Sequence, residues 1–171
     1  MSARVELLSL NQAEWRRLGD EPAVFAGRRE LLLGDQIGAL REVAAATAAY
    51  LARVGREPRW GSFLAMDPGS RLVVGTCSYK GPPDADGAVE IAYFTLPVYE
   101  GRGYATAMAA LLTARAGASP PARAVRAHTL PERNASVRIL EKLGFAHLGE
   151  IVDPEDGPVW RWERAPGPSP A

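Results

Sequence analysis

The run VEIAYFTLPVYEGRGYATAMAALL, Val89 to Leu112, changes its period halfway along. Val89, Ile91, Tyr93, Phe94 and Thr95 are β-branched or aromatic and read as a strand reaching Leu96. From Gly103 to Ala116 the chain is rich in Ala, Leu and Met and reads as a helix. Between the two, Glu100-Gly101-Arg102-Gly103 sets two glycines around an arginine. The first N–H groups of a helix lack intrahelical partners, and the helix dipole gathers partial positive charge there. A glycine-flanked helix start can therefore hold a phosphate, with Arg102 adding a charged hydrogen bond. The same residues also suit a plain tight turn into a buried helix.

Working outward toward the N-terminus, Ser62–Met66 and Leu72–Tyr79 read as strands joined by Asp67-Pro68-Gly69-Ser70, where Pro fixes one backbone angle and Gly tolerates the next. With Val89–Leu96 beyond the loop KGPPDADG they make an antiparallel meander. Earlier still, Arg4–Leu8 reads as a strand, and Asn11 with Glu14 offers a capping box. Asp20–Leu33 has helical composition. Asp35–Val54 repeats Ile37, Leu40, Ala44, Ala48 and Leu51 at helical spacing, with Gly55 as the stop.

Toward the C-terminus, Val125–His128 reads as a strand, Asn134–Leu143 as a helix closed by Gly144, and Ala146–Val152 with Val159–Glu163 as a hairpin. This order predicts an α+β or mixed α/β fold: a central, mostly antiparallel sheet covered by helices. A single domain over residues 1–164 is expected, with residues 165–171, APGPSPA, disordered because Pro and small residues cannot pack a core.

Composition narrows the function. Twenty basic and twenty acidic residues give zero net charge, so no global field steers the chain onto nucleic acid or an anionic membrane, and neither is expected as a partner. Lys80 and Lys142 are the only lysines; the other basic residues are arginines, whose planar fork suits phosphates and carboxylates. Cys77 is the single cysteine and sits in a strand-like run, which reads as a small buried hydrophobe. His128 and His147 lack partners at metal spacing, so no metal is expected. No signal-peptide layout and no apolar run near the roughly 20 residues of a membrane span is found, so a cytoplasmic location is expected. P-loop and dinucleotide fingerprints are absent: no Gly-Lys pair precedes Ser or Thr, and the third glycine of G-x-G-x-x-G is Thr106.

VEIAYFTLPVYEGRGYATAMAALL followed by RAHTLPERNASVRILEKLGF resembles the GNAT superfamily of acyl-CoA-dependent N-acyltransferases, most closely the branch of ribosomal-protein alanine N-acetyltransferases. The resemblance covers Ser62–Glu163. It implies that the sheet contains a splayed parallel strand pair, with helices on both faces. The family's [QR]-x-x-G-x-[GA] pattern falls on Glu100 to Ala105, with Glu100 standing where the family has Gln or Arg. By this resemblance Gly101, Arg102, Gly103, Tyr104, Ala105 and Thr106 bind the pyrophosphate of coenzyme A. Backbone near Phe94, Thr95 and Leu96 would bond the pantetheine arm, and an N–H there would polarise the thioester carbonyl. Asn134 would contact the pantetheine, and Ser136 would protonate the leaving thiolate. Locally Asn134 also reads as a helix cap, and Ser136 as a second one.

An amine must lose a proton before it attacks a thioester. Glu90, an acid in an otherwise apolar strand, is the candidate general base; a salt bridge at the strand start is its other reading. Trp160 and Trp162, with Trp60, can wall an acceptor pocket or pack a core. The expected function is acetyl transfer from acetyl-CoA to a primary amine, a protein N-terminus or a small molecule, by direct attack. The alternative is a non-catalytic acyl-CoA-binding or interaction module. The sequence leaves open a homodimer and the choice of acyl group.

Overall fold

The computed structural model describes residues 3–55 and 58–168. These form two compact units: one drawn from the chain up to Ser78 together with Tyr93–Met108, the other from Tyr79–Ala92 together with the chain from Ala109 onward.

The first unit holds β1 (Glu6–Ser9), α1 (Gln12–Asp20), α2 (Pro22–Arg29), α3 (Ile37–Val54) and β2 (Ser62–Met66). It also takes nearly all of β3 (Val73–Tyr79), the end of β4 (Ala88–Thr95) and the start of α4 (Tyr104–Gly117). The capping box forms as the sequence predicts: Asn11 Oδ1 accepts from Glu14 N at 2.9 Å, and Glu14 Oε2 accepts from Asn11 N at 2.8 Å. Helix α1 buries Trp15 and Leu18 and packs on α3, whose Leu40, Ala44, Ala48 and Leu51 are buried. Arg41 Nε donates to the Gly19 carbonyl at 2.9 Å, joining the two helices.

The helical reading of Asp20–Leu33 stops short. α2 ends at Arg29, capped by Glu30 with a left-handed φ of 54°, and Leu32 instead bridges Leu72 in parallel. Arg71 decides this: its Nε and an Nη donate to the Glu30 and Arg29 carbonyls at 2.7 and 2.8 Å, taking up oxygens that a longer helix would have used. Strands β1, β2 and β3 pair antiparallel, and all five β2 residues are buried. Leu96, just past β4, donates its N–H to the Val74 carbonyl at 2.9 Å.

In the second unit the Lys80 N–H donates to the Glu90 carbonyl at 2.8 Å, beside the start of β4. β4 then pairs in parallel with β5 (Ala124–Thr129), but only over Ala88–Glu90 against Ala124–Arg126. This is the one parallel pair of the sheet, as the resemblance implies. β7 (Gly157–Arg164) lies antiparallel to β5, and β6 (Ala146–Asp153) to β7. Helix α5 (Ala135–Lys142) is capped by Asn134 and followed by Gly144 at φ 80°. The hydroxyl of Tyr79 donates to the Leu112 carbonyl.

Strand order is therefore β1-β2-β3-β4-β5-β7-β6, a mixed α/β fold with one parallel pair in an otherwise antiparallel sheet. Part of the tail is held rather than loose: Gly167 N–H donates to Thr113 O at 3.1 Å, and Arg164 donates to Leu143 O and Pro168 O, each at 2.8 Å. Gly117 admits Gly167 at close range because neither carries a side chain. Residues 169–171 lie outside the described residues.

Candidate active site

In the first unit, Gly101 and Gly103 have φ of 73° and 86°, a region that side-chain-bearing residues enter at a cost. Gly101, Arg102 and Gly103 are exposed. Ala107 donates to the Gly103 carbonyl at 3.0 Å, so Tyr104, Ala105 and Thr106 form the first turn of α4, ahead of that bond. The loop thus presents backbone donors and the positive end of a 14-residue helix. Arg102 lies over the Tyr99 ring, 5.6 Å from its centroid. Glu100 is exposed. Tyr99 is buried, with its hydroxyl set directly against Gly34, where a left-handed φ of 61° and the missing Cβ make room.

Along β4, successive residues direct their backbone groups to opposite sides of the strand. Leu96 uses its N–H on Val74, which leaves Thr95 as the residue of this stretch turned to the other side. Thr95 is buried, and its hydroxyl has no hydrogen-bond partner among the described residues. Phe94 is 40% exposed. In the second unit Asn134 Oδ1 accepts from Val137 N at 3.0 Å. Its capping role is present, and its NH2 group carries no bond among the described residues. Ser136 is half-buried in the first turn of α5, and its hydroxyl is likewise unbonded among them.

Glu90 sits in an ion cluster of the second unit. Its Oε1 is 2.9 Å from Lys80 Nζ and 3.1 Å from His128 Nδ1. Arg161 Nε donates to His128 Nε2 at 3.4 Å, so the proton of neutral His128 belongs on Nδ1, aimed at Glu90. Lys80 also approaches Asp156 at 3.4 Å, and Asp153 lies 4.0 Å from His128. Burial pulls the Glu90 carboxyl up, but the hydrogen bond from His128 and the Lys80 ammonium outweigh it and hold the group below the usual carboxylate range. Lys80 responds in kind: burial lowers it, and the bond and charge of Glu90 raise it further. Glu90 Oε2 meets no protein partner among the described residues.

The sequence pointed to Glu90; Lys80, His128, Arg161 and Asp153 join it in the folded chain. Lys80 carried one faint signal, as one of two lysines in an arginine-rich chain. Trp162 is buried with its N–H on Thr129 Oγ1 at 3.1 Å, and His147 stacks on it with centroids 4.6 Å apart, so this tryptophan serves packing. Cys77 is buried. Among the described residues no group of three or more His, Cys, Asp and Glu is disposed to hold a metal, and no helix is long and apolar enough to cross a membrane.

An acetyltransferase (GNAT) domain matches residues 17–146, well over half of the chain. The chain belongs to the GNAT acetyltransferase family. As a GNAT protein it is an acetyl-CoA-dependent N-acyltransferase. In sequence, no curated relative matches. Among solved structures, it is similar to RimL, a ribosomal L7/L12 alpha-N-protein acetyltransferase in complex with coenzyme A: TM-score 0.65, 14% identity, 97% of this chain and 96% of that one covered. It is also similar to a ribosomal-protein-S5-alanine acetyltransferase from Vibrio fischeri (0.63, 12%, 100% and 98%). A third is the microcin C7 self-immunity acetyltransferase MccE, in complex with acetyl-CoA and AMP (0.63, 11%, 95% and 92%). At these identities the likeness is one of fold.

In the first unit, the exposed backbone of Gly101–Gly103 has donors of the kind that phosphates such as those of coenzyme A would need.

Proposed function

We propose that this protein acetylates the α-amino group of a protein or peptide N-terminus. The observation that carries the enzymatic reading is the exposed glycine loop, left-handed at Gly101 and Gly103, feeding the first turn of α4. The backbone N–H groups of Gly101 to Thr106 would hold the pyrophosphate, with Arg102 beside them. Thr95 and Asn134 would hold the pantetheine. Acetyl-CoA supplies an activated acetyl thioester. Glu90 takes the amine proton on Oε2, directly or through water, while Lys80 and His128 pin Oε1. The Ser136 hydroxyl donates a proton toward the departing sulfur.

The state of Glu90 favours an α-amine. A carboxylate held below its usual range is a weak base. An α-amine, with a pKa of about 8 against about 10.4 for lysine, already presents a useful unprotonated fraction near neutral pH. The fold likeness to two ribosomal-protein acetyltransferases points the same way.

The test pairs a binding measurement with a turnover measurement. Thermal melting with acetyl-CoA, coenzyme A and NAD should show a rise for the first two only, about 2.7 kcal/mol at 100 times the dissociation constant. Thiol release should then be followed with peptides bearing a free N-terminal Ala or Ser, N-blocked lysine peptides, polyamines and aminoglycosides. Turnover confined to free N-termini supports the reading. Turnover only on small-molecule amines overturns the acceptor, and binding without turnover on any amine makes the protein an acyl-CoA-binding module.

A further inference from the structure

Between the buried Tyr99 and the first residue of α4, Tyr104, the loop is Glu100-Gly101-Arg102-Gly103. Two of these four residues have no side chain, and Glu100 and Arg102 are exposed, so the loop has little of its own to fix the direction of its N–H groups. It is held at its two ends. At one, Tyr99 is seated against Gly34. At the other, the Tyr104 hydroxyl donates to Asp67 Oδ2 at 3.2 Å, across 37 residues of sequence.

Asp67 is itself firmly placed. Its Oδ1 accepts from Gly69 N at 3.1 Å and from Ser70 N and Ser70 Oγ, both at 2.9 Å. Its backbone closes the β2–β3 turn through Asp67 N to Leu72 O and Arg71 N to Asp67 O, each 2.8 Å. Arg71 then ties the turn to the end of α2. A carboxylate close to a loop built for phosphates is unfavourable by charge alone, and here four donors take up that charge. Asp67 is therefore a rigid post, with one oxygen spent on its own turn and the other on the first residue of the helix.

We propose that Asp67 is a positioning residue for coenzyme A, acting through Tyr104 to orient the first turn of α4 and the N–H groups ahead of it. The inference rests on the reading of this loop as the phosphate site. The role assigned to Asp67 needs no contact with substrate or the reacting atoms. It acts on the affinity of the site and leaves the chemical step alone.

The experiment uses the full chain in three variants: Tyr104→Phe removes only the hydroxyl bond, Ser70→Ala weakens only the turn side, and Asp67→Asn keeps a polar group able to donate to the tyrosine oxygen. Dissociation constants for coenzyme A are measured by calorimetry, and hydrogen exchange of the amides of residues 102–107 is followed in the free protein. Expected for Tyr104→Phe is affinity weaker by about 3- to 10-fold, the range for one hydrogen bond, with faster exchange in those amides. Its loss should appear in KM for acetyl-CoA rather than kcat. Ser70→Ala should stay within about twofold of wild type while melting lower, and Asp67→Asn should fall between wild type and Tyr104→Phe. The proposal is overturned if Tyr104→Phe binds coenzyme A as tightly as wild type with unchanged exchange. It is equally overturned if Tyr104→Phe and Ser70→Ala weaken binding alike in step with their melting points, since that is a merely structural effect. A wild-type protein that binds no coenzyme A removes the phosphate-site reading and this proposal with it, and that result is visible before any variant is made.

Discussion

The carbonyl oxygen of Phe94 stands directly against Gly75, in the space that any β-carbon at that position would take. Gly75 lies within β3, and the obstacle is backbone, which cannot swing aside as a flexible side chain can. A strand glycine is here the condition for close approach of the strand that carries Phe94 and Thr95.

Gly75→Ala should therefore destabilise the protein by about 2–3 kcal/mol, the upper part of the range for overpacking a tight interior. It should also weaken coenzyme A binding, because β4 must shift. Urea unfolding with a parallel calorimetric titration checks both. A variant as stable as wild type would mean that β3 and β4 are not held this closely.

Glu90→Gln should flatten the acid limb of the stability profile. The carboxyl is held below its unfolded value, so its contribution is complete above that value, roughly pH 4.3, and fades as pH falls through the lower folded pKa. Lys80 contributes in the opposite sense, fully below its unfolded value and less as pH rises through its raised folded pKa. Removing the carboxylate should thus lower stability near neutrality and reduce its slope toward low pH. If Glu90 is also the proton acceptor, kcat on a free N-terminus should drop by about 10²- to 10⁴-fold. Loss of stability with kcat intact would confine Glu90 to its ion pairs.

Asn134 can be split into its two roles. Asn134→Asp keeps an oxygen for Val137 N, now at 3.0 Å from Oδ1, and adds a charge that suits a helix start, but it lacks the NH2 group. Its melting point should hold, and KM for acetyl-CoA should rise severalfold. Asn134→Ala should lose about 1 kcal/mol of stability as well. Equal KM in Asn134→Asp and wild type would leave Asn134 as a cap alone.

Glu100 is exposed beside the glycine loop and stands where the family pattern has Gln or Arg. Glu100→Gln should tighten coenzyme A binding by up to about fivefold, the equivalent of the ~1 kcal/mol between unit charges at 4 Å in water. The gain should shrink as salt is raised. Affinity that is unchanged at low salt would show that this carboxylate points away from the bound phosphates.

Much of the fold is readable residue by residue. β2 spans Ser62–Met66 as its composition predicts, α3 buries Leu40, Ala44, Ala48 and Leu51 at the predicted spacing, and the Asn11 and Asn134 caps both form. In each case the signal is local: a period, a capping pair, a glycine that supplies a left-handed φ. Where a long-range contact intervenes, the local reading fails, as at Leu31–Leu33, which Arg71 and Leu72 draw out of the helix. The tail is another such case. Its composition argues against order, yet Gly167 is bonded to Thr113 because Gly117 leaves the space.

The sequence by itself determined the order of strands and helices and the glycine pair at Gly101 and Gly103, since those depend on backbone propensities within a few residues of each other, while the family was legible from the resemblance of two motifs. Only the tertiary structure decided how Glu90 is held and what Asp67 does. Lys80, Glu90, His128 and Arg161 meet because β4, β5 and β7 are neighbours in register, and Asp67 meets Tyr104 because a turn and a helix start 37 residues apart are brought together. A charge or a hydroxyl in a sequence has no partner until the chain has folded. Whether Glu90 is a free base or a pinned one, and whether Asp67 is a turn residue or a post, follows from distances of about 3 Å that no local pattern encodes.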